Sequence, residues 1–207
     1  MLKRLLWIGV GVFALIGVAA AVTGLLLVRG GIDARAQPGR FETTAARTLR
    51  SVAIPRASRQ LKNPVPASAE AIDDGLSHFA DHCANCHGND GRGETGMGRG
   101  LYPKPPDMRQ ALTQNLTDGE LFHIIEHGVK FTGMPAWGDG TDESATASWN
   151  LVHFIRRLPH LTDADITRME TLNPKSPEEW RQEEAQRPVG GNAPARPAHS
   201  HKHRGHN

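Results

Sequence analysis

The stretch that decides the fold is 81-DHCANCHGNDGRG-93, in which Cys83 and Cys86 bracket two residues and His87 follows at once. Three chemistries use such a run: a haem attachment site, a redox disulfide, and half of a zinc site. Each makes its own demand on the rest of the chain.

A zinc site needs four ligands, as a rule in two pairs, and the chain has no cysteine beyond Cys83 and Cys86. A thioredoxin-like redox pair belongs in an alternating strand and helix pattern, which the sequence does not show. The C-x-x-C-H run matches the c-type haem attachment pattern, and the reason is geometric. Two thiols three apart on one helical turn can bond the two vinyl groups of one porphyrin. The adjacent His87 then points its imidazole at the iron.

A haem iron held by histidine takes a second ligand from the opposite side, and a methionine there raises the potential. The stretch 130-KFTGMPAWG-138 supplies Met134, with Gly133 giving backbone freedom and Pro135 fixing the chain just after the sulfur. The 47-residue gap from His87 is long enough to wrap a porphyrin edge. Met97, set among glycines, and Met108, at the end of a proline run, are rival ligands. A core methionine in a turn is the plain alternative for Met134. His78, His82, His123, His127 and His153 would each give a bis-histidine iron, but all sit on or at the end of expected helices, where a surface or capped histidine is usual.

Three helices are expected around the cofactor. In 68-SAEAIDDGLSHFADHC-83, Ile72, Leu76 and Phe79 share a face, and Gly75 beside them permits a close crossing. The run 116-LTDGELFHIIEHG-128 opens with Thr117 and Glu120 as a capping box and stops at Gly128. The third, 142-DESATASWNLVHFIRRLP-159, sets Trp149, Val152 and Arg156 on one side and ends before Pro159. Between the first two, 98-GRGLYPKPPDM-108 must be an extended loop.

Taken in order, "CANCHGNDGRG", "GLYPKPPDM", "TDGELFHIIEHGVKFTGMPAWG" and "WNLVHFIRRL" resemble a class I monohaem cytochrome c domain. The likeness is to the haem-bearing subunits of terminal oxidases and to small membrane-anchored cytochromes, and it covers residues 70–158. It implies an all-α fold around one covalently bound haem c, with the first and last helices crossing near Gly75, Phe79 and Trp149. It further implies that Cys83 and Cys86 hold the thioethers, His87 the proximal iron bond and Met134 the distal one. Tyr102, Pro105 and Pro106 would lie at the porphyrin edge or near a propionate, and Trp137 close to the methionine loop.

Outside this span the chain changes character. Residues 5–28 carry no charge and are long enough to cross a bilayer, which predicts a single transmembrane helix; a cut after Ala36 in "IDARAQPG" is the rival reading. Counting the positive flanks argues for the reverse topology, but haem attachment requires the body outside the cytoplasm. Residues 29–68 bear eight Arg or Lys against Asp33 and Glu42 and read as a solvated linker, in which "TTAARTLRSVAI" would make only a weak cationic helix. Residues 70–158 run the other way, with thirteen Asp or Glu against seven Lys or Arg, so overall basicity is no sign of nucleic-acid binding. Past Leu161 the chain is charged and proline-rich, with one further helix expected from Ser176, Pro177 and Glu179. The end is expected to be disordered, with His199, His201, His203 and His206 as weak metal ligands.

The expected organisation is a membrane anchor over 1–28, a basic linker over 29–68, a cytochrome c domain over 69–160 and a charged, largely disordered extension with a histidine tail over 161–207. The expected role is transfer of single electrons at the periplasmic side of a bacterial inner membrane. The partners would be a dehydrogenase, a quinol-oxidising complex or a terminal oxidase. A haem enzyme or gas sensor with a labile distal ligand, and a tethered metal-binding protein using the tail, are the competing classes. No acid and base pair, nucleophile or second haem motif supports autonomous catalysis, so no enzyme activity is expected.

Overall fold

Among the residues that the computed structural model describes, 2–29 and 33–174, every regular element is helical. The first, α1 (Leu2–Arg29), contains the apolar run Leu6–Leu26, long enough to cross a membrane. Trp7 and Phe13 within it stand 73% and 78% exposed, so the run is no core helix of a soluble body.

The central layer is built from α4 (Ala69–His78), α7 (Asp118–His127) and α8 (Asp142–Arg157). Ser68 caps α4 by accepting from the Ala71 amide, and α4 then crosses α8 at Gly75. A Cβ there would lie 2.2 Å from the Asn150 carbonyl oxygen, so only glycine permits this approach. One turn on, Phe79 packs on Phe154 with ring centroids 5.1 Å apart. Trp149, expected at the crossing, turns instead to α7 and stacks flat on Phe122 at 4.0 Å. The crossing therefore involves Gly75, Phe79, Asn150 and Phe154, because consecutive residues of α8 face different neighbours.

The capping box of Thr117 and Glu120 opens α7 as the spacing predicts. Arg156 of α8 fastens that end of the fold. Its guanidinium donates to the Gln114 carbonyl at the end of α6 (Ala111–Gln114), to the Leu116 carbonyl, and to Asp118 in the first turn of α7. The guanidinium thus ties these two carbonyls and the first turn of α7 to α8.

Two stretches depart from expectation. The segment read as a solvated linker is helical at α2 (Arg40–Ala53) and α3 (Arg56–Gln60), and its second half is docked. Ile54 is buried, the Ser58 carbonyl lies where a Gly119 side chain would begin, and Thr117 donates its hydroxyl proton to the Arg59 carbonyl. Asn63 donates to the Trp149 carbonyl, and the His153 ring lies 2.8 Å from the Val65 carbonyl oxygen. Single apolar residues and unpaired backbone carbonyls bind the surface of α7 and α8, without any periodic pattern.

The second departure lies past Leu161. Thr162 and Asp165 form a capping box for α9 (Asp163–Leu172), whose Met169 is wholly buried in the core, and whose Arg168 pairs with Asp73 of α4. The stretch therefore belongs to the packed body through Asn173. The helix expected at Ser176 and the tail histidines lie outside the described residues.

Candidate functional site

The helix that starts at α4 does not stop at His78. It passes through one π-helical turn, Phe79–Cys83, into α5 (Ala84–His87), and the Ala84 amide reaches back to the Phe79 carbonyl. Such a turn widens a helix by one residue and is common where side chains must be re-aimed. Cys83 closes it, and Cys86 and His87 follow within the next turn.

Gly88, at φ +74°, ends α5, and the loop beyond returns over it. The Gly93 amide donates to the His87 carbonyl, and Thr95 donates its hydroxyl proton to the Asn85 carbonyl at 2.7 Å. A side chain on Gly98 would begin 2.4 Å from the Cys86 carbonyl oxygen. The carbonyls at the end of α5 are thus consumed by residues 93–98, and the turn bearing Cys86 and His87 is held from behind. Further along, Asp107 accepts from the backbone and guanidinium of Arg109, which holds its carboxyl down to about 2.

Burial sets the electrostatics. The Cys83 thiol is pushed up to about 12 by desolvation, and Cys86 is raised for the same reason. Desolvation lowers His87 to about 4, so the imidazole is neutral, and its buried Nδ1 has no hydrogen-bond partner among the described residues. An unmet buried nitrogen costs about 1–3 kcal/mol unless something bonds the ring.

Met134 sits half-buried on a loop strapped to the end of α7. The Val129 amide donates to the Met134 carbonyl, Trp137 and Gly138 donate to the carbonyls of Ile125 and Glu126, and the Met134 amide donates to Thr132 Oγ1. Gly128, at φ +65°, has the Met134 and Pro135 backbone where a side chain would stand. The loop reaches the cysteine helix through Trp137, whose ring meets that of His82 edge-on at 5.3 Å. It reaches the proline loop through Gly133, which rests on Leu101. Neither contact is written in any local sequence pattern.

Most of the rival ligands have other neighbours. Met108 is buried in the core, while Met97 stands 58% exposed. His153 faces Val65 and His123 faces Ser58, both of the docked segment 54–66, and His127 stacks on His123. Tyr102 donates its hydroxyl proton to Glu42 of α2 at 2.5 Å. Among the described residues two H-x-x-x-H pairs stand outside an exclusion of zinc by cysteine count, His78 with His82 and His123 with His127. Among the described residues no group of three or more His, Cys, Asp or Glu is placed to hold a metal ion.

Residues 70–155 match the family model described as cytochrome C oxidase, cbb3-type, subunit III. This segment is a class I c-type cytochrome domain. No curated protein matches the chain. Cytochrome c domains of this family carry a covalently bound haem c and serve electron transfer. The donor set suits that group: two thiols on one helical stretch, and a neutral, desolvated imidazole with an unpaired ring nitrogen beside them. The cytochrome domain also presents a sulfur on a separately strapped loop, in contact with the same helix through Trp137 and His82.

Proposed function

We propose that the chain is a membrane-anchored c-type cytochrome that passes single electrons between redox proteins at the periplasmic face of a bacterial inner membrane. Its anchor is residues 1–28. Cys83 and Cys86 bear the haem thioethers, and His87 and Met134 are the axial ligands. One observation carries the reading: a half-buried His87, whose buried Nδ1 has no hydrogen-bond partner among the described residues, ends the helix of Cys83 and Cys86, and that helix touches the methionine loop.

When bound, haem c supplies a one-electron couple whose potential follows its axial ligands and its exposure. The protein's part is to hold those ligands. Burial keeps His87 unprotonated, so a ring nitrogen lone pair is free for a metal. The hydrogen bonds at Val129, Thr132, Trp137 and Gly138 hold the backbone of the loop that carries Met134. Were His87 and Met134 both to hold the iron, no position on it would be left for a substrate, which favours a carrier over an enzyme. The acidic balance of residues 70–158 suits docking on positively charged partners, with association slowing as salt rises.

The ligand assignment is tested by Met134→Ala. The expected outcome is a lower potential and loss of the charge-transfer band near ~700 nm that oxidised iron shows when bound to thioether sulfur. An unchanged spectrum would assign the sixth position to another residue.

A further inference from the structure

Helix α2 is amphipathic, and its apolar side faces away from the protein. At about 100° per residue, Phe41, Ala45, Thr48, Leu49 and Val52 fall within one sector of the helix, and Arg50 lies on the opposite side. A soluble helix buries such a stripe. Here Phe41 is 88% exposed, Leu49 70% and Val52 75%. The contacts α2 makes with the domain are polar: Glu42 accepts from Tyr102, and the half-buried Arg50 is in electrostatic reach of Glu120.

Position in the chain says what could cover the stripe. The apolar α1 ends at Arg29 and α2 begins at Arg40. The ten residues between them span at most about 35 Å when fully extended. If α1 crosses a bilayer, α2 cannot leave the neighbourhood of that bilayer's surface. Arg40 and Arg47 lie together away from the apolar sector, about 125° and 145° from its middle, so a helix lying with that sector in lipid carries both charges toward the water and the anionic headgroups. A lipid surface therefore satisfies the apolar stripe, the charged face and the short tether together.

We infer that α2 lies in the headgroup layer of the membrane that α1 spans, with Phe41, Leu49 and Val52 toward the acyl chains and Arg40 and Arg47 on its water-facing side. The inference rests on the anchor of the proposed function. It has a consequence for the cytochrome domain, because the chain runs from α2 directly into the docked residues Ile54 to Val65. Only ten residues, 30–39, then separate α1 from α2. Ten flexible residues have an r.m.s. reach of about 17 Å, against roughly 35 Å for a flexible forty-residue linker. The domain is then held close to the membrane with its Tyr102 loop beside α2, rather than swinging at random.

The test uses the purified full chain with haem attached, in vesicles of phosphatidylethanolamine with about one-third phosphatidylglycerol. Three variants, Leu15→Cys, Arg47→Cys and Val52→Cys, are each exposed to a water-soluble maleimide. Rates are normalised to those of the unfolded chain. The inference predicts that Leu15→Cys is protected, Arg47→Cys reacts freely, and Val52→Cys reacts at least ten-fold more slowly than Arg47→Cys. Equal rates at positions 47 and 52 with Leu15→Cys still protected would overturn it and leave the anchor standing. A reactive Leu15→Cys would overturn the anchor, and this inference with it. Protection of Val52→Cys that disappears on diluting the protein in lipid would assign the stripe to a second copy of the chain, and would overturn it too.

Discussion

The imidazole of His82 meets the indole of Trp137 edge-on, with ring centroids 5.3 Å apart and planes at 86°. The residue before Cys83 thus touches the residue three beyond Met134. Two segments some fifty positions apart, each bearing a candidate iron ligand, are joined by this contact. An edge-to-face pair of this kind contributes about 0.5–1.5 kcal/mol beyond its buried area.

Trp137→Ala is expected to loosen the methionine loop without unfolding the domain. The sulfur charge-transfer band should weaken, and added imidazole should bind the oxidised iron more readily than in the parent protein. Trp137→Phe should recover part of the difference. If imidazole binding is the same in all three proteins, the contact has no part in holding Met134.

Gly75→Ala opposes two effects. Alanine favours the α4 helix by about 1 kcal/mol over glycine. Its Cβ would, however, begin 2.2 Å from the Asn150 carbonyl oxygen and 2.9 Å from Phe154 Cβ. Backbone cannot rotate away as a side chain can, so the clash prevails, and a net loss of about 1–3 kcal/mol is expected in urea unfolding. A variant as stable as the parent would place the α4 and α8 crossing elsewhere.

Met169→Ala tests whether α9 belongs to the domain. The residue has no exposed surface and sits in the core cluster. Truncating a side chain so placed costs about 2–5 kcal/mol, whereas the same change in a solvated extension would cost almost nothing. A difference in unfolding midpoint too small to resolve would return residues 161–173 to the extension.

What the sequence showed and what it hid divide along one physical line. The capping box at Thr117 and Glu120, the stop at Gly128 and the small residue at Gly75 are local signals, legible because the constraint acts within a turn or two of the residue that meets it. The docking of Ile54, Val65 and Met169 is not local. Ile54 and Val65 stand in stretches poor in apolar residues, Met169 has only Ile166 and Leu172 at helical spacing behind the Thr162 and Asp165 capping box, and the surface that receives each is assembled from helices distant in sequence. The same holds at the candidate site. Cys83, Cys86, His87 and Met134 could be picked out by motif, but the π-helical turn, the Thr95 hydrogen bond behind Cys86 and the Trp137 contact depend on tertiary packing. The resemblance puts Trp149 at the crossing, but Asn150 meets Gly75 there, because one residue along a helix turns a side chain by about 100°.

The central claim, that Cys83 and Cys86 each bond one shared haem, is tested most directly by weighing the chain. The purified protein, denatured in acid and organic solvent and freed of loose cofactor, should keep the mass of one haem in intact-mass spectrometry. The added mass should map to the peptide containing Cys83, Cys86 and His87. A chain that emerges at the mass of its polypeptide alone, with the haem in the solvent, would contradict the account.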